Sequence, residues 1–488
     1  MAHRALLLPE IVAIILQTGS EEPGLLYNSL LVNRLFFQEA SPVLWSTCEI
    51  FDAIHPDPRT LGTLVLREDV QHERVQFYAS LVQNINFQYD ESQVDQHNWH
   101  NVLRQLEFPN LKTVCFCHSE DALQLATEDV MLHYIRPGLQ KLYIDQNGPL
   151  TDDFFDGLTE VCSGLQQVTL RPSKVIASDV SMARSLSNMT NVESLTLDEG
   201  FRRTRLEPRI LEAIAALPKL ETLSLPEVPE ESMVILLKRR NKIWFPSLEH
   251  LYIGATAGTM ELFHQVVPGL KDIFLEDEEF EQTNHVLSVL SRFQSLTCVR
   301  IMLSASSTIL GDELLRLAQS CPDIENIEIG IESWDPILPS AIGFTDNLIH
   351  NLAHSLPKIT CLRLIFTSES LPSLVNTLRT LGALPQLKEL TFSCRADWRL
   401  LLDIPRDAPL GQFTHLTFLV DEHMRQSFDE KDYPHLLEIW KDNAAIWLPR
   451  VILFQIPHAD DWEEAFTQVL DPDELLENSE IDGEEIRC

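Results

Sequence analysis

One short pattern recurs along most of this chain and limits what it can fold into. It runs apolar residue, two variable residues, apolar residue, one variable residue, apolar residue. It stands in "FPNLKTVCF", "RPGLQKLYI", "CSGLQQVTL", "MTNVESLTL", "LPKLETLSL", "FPSLEHLYI" and "VPGLKDIFL". It continues in "FQSLTCVRI", "CPDIENIEI", "LPKITCLRL" and "LPQLKELTF", with an earlier copy in "SLVQNINF" and weaker late copies in "THLTFLV" and "PRVILFQI". The first apolar positions are Val82, Leu111, Leu139, Leu165, Val192, Leu220, Leu248, Leu270, Leu296, Ile324, Ile359, Leu387, Leu416 and Val451. Thirteen intervals cover the 369 residues from Val82 to Val451, about 28 each. Alternating Leu, Ile, Val, Phe and Tyr give each copy the period of a half-buried strand. Between copies, "DDFFDGLTEVCSG", "RILEAIAAL", "NHVLSVLSRF", "GDELLRLAQSC", "TDNLIHNLAHSL" and "SLPSLVNTLRTLGAL" carry apolar residues three and four apart, as a helix requires. A lone strand and helix cannot bury their own apolar faces, so successive units must stack.

The pattern resembles the leucine-rich repeat in its longer, helix-bearing form, over about residues 80 to 457. That resemblance implies an α/β solenoid with a curved parallel sheet inside and helices outside. The usual Asn after the third apolar residue occurs only near Asn147, so an irregular solenoid is expected. A parallel β-helix is the competing architecture, but its turns are shorter and lack helices.

The N-terminal stretch does not follow the repeat. "LLLPEIVAIIL" reads as a helix entered through Pro9, where a missing N–H costs nothing. "TGSEEPG" breaks it, "LLYNSLLVNRLFFQEA" makes a second helix, and "SPVLW" closes the unit. About 45 residues cannot build a large core. Leu31, Val32, Leu35 and Phe36 serve a helix–helix contact in this reading, which leaves Leu8, Ile11, Leu44 and Trp45 with little to cover them. The segment resembles the F-box: Leu8-Pro9-Glu10, Ile15-Leu16, Val32-Asn33-Arg34 and Pro42-Val43-Leu44-Trp45 match that family's fragments in order. A fungal-type F-box protein with a leucine-rich-repeat solenoid is what the two resemblances together imply. Its F-box docks on a Skp-type adaptor and, through it, a cullin-based ubiquitin ligase. Leu8, Pro9, Glu10, Ile11, Ile15, Leu16, Leu31, Val32, Leu35, Pro42, Leu44 and Trp45 then form the adaptor-binding set. A small helical cap on the first repeat is the alternative reading.

Domain boundaries follow: 1–48 for the F-box, 49–80 for a connector and cap, 81–457 for the solenoid, and 458–488 for an acidic tail. The tail, from Asp460 onward, holds twelve acidic residues in 29 and a single arginine. Trp462, Phe466 and Val469 are candidates to dock there as a last helix.

Charge narrows the partners. With 37 Lys plus Arg against 73 Asp plus Glu, the formal charge is −36, which repels phosphate backbones and anionic membrane surfaces. No apolar run is long enough to suggest a membrane span. Nine scattered cysteines, mostly in apolar runs, suit a reducing compartment, cytoplasmic or nuclear.

Catalytic signals are weak. His350 and His354 in "HNLAH" have zinc spacing but no evident third ligand. Cys115 and Cys117 in "CFC" share a strand face, and a two-cysteine metal clip competes with two ordinary strand residues. "GATAGT" lacks the Lys of a phosphate loop. "LEDEEFE" is an acidic loop, and the Lys238–Lys242 cluster reads as a solvated helix end or a nuclear signal. No enzyme, cofactor or metal is expected. The expected job is target capture on the inner sheet face. There the position between the last two apolar residues gives a row of Tyr252, Phe274, Arg300, Glu328 and Arg363, with Glu276 beside Phe274. Aromatics and arginines make up interface hot spots. Mutual pairing of Arg300, Glu328 and Arg363 alone is the alternative reading.

Overall fold

A computed structural model describes residues 8–19, 22, 24–49, 55–67, 70–89, 96–118, 127–201, 206–239, 242–276, 285–304, 306–330, 339–368, 371–394, 414–420 and 453–455. The chain divides into two compact units, Met1–Leu248 and Glu249–Cys488. Each is a leucine-rich-repeat solenoid.

Unit one opens with three helices, α1 (Pro9–Thr18), α2 (Leu25–Ser29) and α3 (Arg34–Leu44). A parallel sheet follows in chain order: β1 (Thr47–Glu49), β2 (Asn84–Tyr89), β3 (Thr113–His118), β4 (Lys141–Leu150), β5 (Gln167–Val175), β6 (Ser194–Leu197) and β7 (Thr222–Glu227). Two helices, α4 (Pro58–Leu66) and α5 (His72–Leu81), separate β1 from β2. Unit two continues the plan with β8 (His250–Gly254), β9 (Asp272–Glu276), β10 (Cys298–Met302), β12 (Asn326–Gly330), β14 (Cys361–Leu364), β15 (Glu389–Cys394), β16 (His415–Val420) and β17 (Leu453–Gln455). A separate two-stranded sheet, β11 (Thr308–Leu310) with β13 (Ser340–Ile342), lies between its repeats in sequence.

The fourth and sixth repeat positions carry the core. Val114, Phe116, Leu142, Ile144, Leu195, Leu197, Val299, Ile301, Leu362 and Leu364 are all buried, and the residue between the two positions of each strand is half-exposed or exposed. Each such side chain contributes about 1.5–3 kcal/mol relative to exposure. Helices cover this buried face. Residues 311–320 and 346–355, read as helices from their periodicity, form them, and "RILEAIAAL" starts one residue early at Pro208.

Register is set where each repeat enters its strand. The carbonyl after the first apolar position accepts two amides from the next repeat: Gln83 O from Lys112 and Thr113, and Gln140 O from Gln166 and Gln167. Lys271 O (from Thr297 and Cys298) and Glu325 O (from Thr360 and Cys361) repeat the arrangement. Backbone pairing therefore supplies the register without an asparagine ladder. At β16 the structure corrects the alignment. Leu416 pairs with Leu390 and Phe418 with Phe392, so Leu416 fills the fourth position, not the first. "THLTFLV" offers too many apolar residues to fix the frame by pattern alone.

The same two-amide signature appears one repeat earlier than the pattern suggests. Ser46 O accepts from Gln83 N and Asn84 N at 2.8 and 2.9 Å, and Cys48 pairs with Ile85. Trp45 and Cys48 thus occupy the first and fourth positions of an extra repeat. The sheet begins at residue 47, inside the segment read as an independent head.

The head itself differs from expectation. "LLYNSLLVNRLFFQEA" is two helices, because Asn33 accepts from Phe36 N at 3.0 Å and caps a new helix at Arg34. "SPVL" belongs to that helix, with Pro42 inside it. The tail with Trp462, Phe466 and Val469 lies outside the described residues. Among the described residues, no helix is long and apolar enough to cross a membrane.

Candidate functional site

α1 is apolar on two sides, and only one is used. Val12 and Leu16, one turn apart, are buried, and α1 packs on α3. Leu8, Ile11, Ile14 and Ile15 lie three and four apart on the other side and are exposed, Leu8 at 52 % and Ile14 at 57 %. In the turn after α2, Leu31 is 85 % exposed and Val32 58 %. Pro9, Glu10 and Pro42 are exposed as well, and Leu35 is half-buried.

Two expectations are reversed here. Leu31 and Val32 do not make the internal helix contact assigned to them; they face solvent. Leu44 and Trp45, expected to lack cover, are buried at 1 % and 6 % exposure, and Leu16 is buried too. The Trp45 indole stacks on Tyr78 of α5, centroids 4.9 Å apart and planes 20° apart. The reason is the extra repeat: a residue at the first apolar position points into the solenoid core. Leu16, Leu44 and Trp45 therefore leave the set that a partner could touch without opening the chain.

On the inner face of unit two, the expected row is in register. Tyr252, Phe274, Arg300, Glu328 and Arg363 are successive Cα partners, spanning roughly 20 Å at one strand spacing per step. Tyr252 and Phe274 rings lie 5.9 Å apart. Arg300 Nε is 3.1 Å from Glu328, Arg363 is 3.6 Å from Glu328, and Arg363 is 3.1 Å from Glu389. The charges alternate along four strands and neutralise one another. Partly exposed pairs of this kind contribute about 0–1 kcal/mol each, so a partner can displace them at small cost. Glu276 shares β9 with Phe274 and is half-buried.

The column before the fourth apolar position adds a group missed in the sequence. His250 Nδ1 is 2.6 Å from Asp272, whose other oxygen accepts from the Thr297 hydroxyl at 2.9 Å. Extending the repeat alignment by one column would have found it. Cys298 is next in this column. Asp272 stands between the imidazole and the thiol, so His250 and Cys298 are about 9.6 Å apart by strand spacing and form no nucleophile–base pair. His350 and His354 are exposed on an outer helix, and His354 contacts the His350 carbonyl. Among the described residues, no group of three or more His, Cys, Asp or Glu is placed to hold a metal ion.

Cys115 and Cys117 lie together on the inner face of unit one, with Sγ atoms 3.0 Å apart. A hydrogen bond from the Cys115 thiol lowers the pKa of Cys117, with partial burial opposing it. Burial pushes the Cys48 thiol up to about 12 and that of Cys321 up to about 11. The thiolate is the reactive form. Iodoacetamide at neutral pH, followed by peptide mass spectrometry, should therefore label Cys117 before Cys48 and Cys321, which should need denaturant. Equal labelling of all three would contradict these environments.

No family model and no curated protein matches the chain. Solved structures do match it. They include Drosophila Toll in its complex with Spatzle (11 % identity, TM-score 0.33, 73 % of this chain and 49 % of that one). The leucine-rich-repeat-containing protein LegL7 from Legionella pneumophila also matches (13 %, TM-score 0.35, 63 % and 97 %). So does the yeast complex of Rad7 and Elc1 (12 %, TM-score 0.34, 63 % and 79 %). The chain spans about half of the Toll chain it matches. The likeness is one of repeat fold.

Proposed function

We propose that this chain is a non-catalytic substrate-recognition subunit of a cullin-based ubiquitin ligase. Its N-terminal helices dock on a Skp-type adaptor, and the inner face of its repeats captures a protein target. One observation carries the reading: α1 and the turn after α2 keep Leu8, Ile11, Ile14, Ile15, Leu31 and Val32 exposed close together. Such a surface marks a protein interface. The F-box-like fragments Leu8-Pro9-Glu10 and Val32-Asn33-Arg34, with Ile15, coincide with it, and that resemblance supports a Skp-type adaptor as the partner. The receptor contributes position, raising the local concentration of a target lysine near the charged ubiquitin carrier.

Purification of the full chain with the adaptor and cullin tests this directly. Co-purification of both supports the ligase role. Adaptor without cullin would instead favour a scaffold outside the ligase, and neither would overturn the proposal. Target capture is assigned to Tyr252, Phe274, Glu276, Arg300, Glu328 and Arg363. Tyr252→Ala with Phe274→Ala should remove about 2 kcal/mol or more of target affinity, as hot-spot truncations do, and leave adaptor binding intact. Proximity labelling with both chains reads this out; an unchanged labelled set would clear the row of that role.

A further inference from the structure

β3 presents Cys115 and Cys117 on the same side of its sheet, with buried Phe116 between them. Neighbours on both sides lock the backbone: Cys115 is in register with Asn86 and Tyr143, and Cys117 with Gln88 and Asp145. Strand rise places Cα atoms two residues apart at about 6.6 Å, near the top of the roughly 4.4–6.8 Å range that a disulfide spans. The sulfurs already point at each other across 3.0 Å. A separation of about 6.6 Å lies above the roughly 5.5–6 Å at which disulfides are commonest, and a strand paired on both edges resists shortening toward that optimum. Widening the gap requires only rotation about each Cα–Cβ bond. One atom bonded to both sulfurs fits this frame with less strain than a direct bond.

The surroundings choose the atom. Both thiols are half-buried on the solvent side of the sheet, open to a small ion. Asp145, beside Cys117 in register, faces Arg171 at 3.6 Å and is engaged there. No third donor from His, Cys, Asp or Glu completes a cluster among the described residues. Zinc sites use three or four protein ligands, and calcium and magnesium take oxygen. Two soft sulfurs with nothing else suit a monovalent thiophilic ion.

We propose that Cys115 and Cys117 form a two-thiolate site for a single cation of the Cu(I) class. Binding exchanges protons for metal: two S–H bonds break, two S–Cu bonds form, and two protons pass to solvent, with no change of oxidation state. The site is independent of whether the head binds an adaptor.

The reduced full-length protein is titrated anaerobically with Cu(I) against a chromophoric chelator. The Cys115→Ser, Cys117→Ser double variant should take up one equivalent fewer than the wild type. Either single variant should hold that equivalent more weakly by at least the roughly 10–100-fold that losing a supporting partner of a metal ligand costs, while Cys298→Ser should match the wild type. A double variant with wild-type uptake overturns the proposal. A second measurement does not depend on the variants folding. One equivalent of Cu(I) should shield Cys115 and Cys117 of the wild type from alkylation, and undiminished labelling of both overturns the site.

Discussion

Trp45→Ala is expected to lower the unfolding free energy by about 3–5 kcal/mol, the usual cost of truncating a buried aromatic to alanine. Three observations set that magnitude. The indole is almost wholly buried. It stacks on Tyr78, an arrangement that adds about 0.5–1.5 kcal/mol beyond area alone. The next residue, Ser46, supplies the carbonyl that anchors β2 through Gln83 and Asn84, so a cavity at Trp45 loosens the first strand pairing. Leu44→Ala, at a buried site with no ring to stack, should cost about 2–5 kcal/mol. Denaturant titration followed by tryptophan fluorescence and circular dichroism measures both. A Trp45→Ala loss below about 1 kcal/mol would mean that residue 45 does not fill a core position. These variants would also reduce adaptor capture, but by unfolding the head and not by removing a contact, so they cannot serve as tests of docking.

The repeat made the fold legible. A period of about 28 residues with a strand motif and a helical stretch leaves few alternatives to a parallel sheet faced by helices. The inner row followed from the same arithmetic, because a parallel register with no slip puts equal positions side by side: Arg300 pairs with Glu328 and Glu328 with Arg363. Two things escaped. Trp45-x-x-Cys48 is a repeat whose fourth position is a cysteine, and it precedes the next copy by 37 residues instead of about 28; the pattern there is too degenerate to claim. Which side of α1 faces inward was also hidden, since Ile11, Val12, Ile14, Ile15 and Leu16 satisfy either orientation. Leu31 and Val32 were misplaced for a separate reason: Asn33 caps α3 and starts it late, which leaves them in a turn and not on a packed helix face.

Ile11→Asp combined with Leu31→Asp is the change expected to abolish adaptor capture while leaving the chain folded. Both side chains are already exposed, so replacing them should move stability by about 0.5 kcal/mol or less each. The bound state is another matter. Covering an apolar side chain of this size yields about 1.5–3 kcal/mol, and each aspartate adds the cost of an unpaired carboxylate under a partner. A loss of about 4 kcal/mol or more follows, near a thousandfold in Kd. Surface plasmon resonance with a Skp-type adaptor reads the affinity, and thermal melting of the same preparation reads the fold. Trp45→Ala should give the opposite pairing: a large drop in melting temperature with adaptor capture lost in step with folding. Full adaptor affinity in the double aspartate variant would show that the greasy side of α1 and the turn at Leu31 serve some other purpose. The ligase reading would then lose the surface on which it depends.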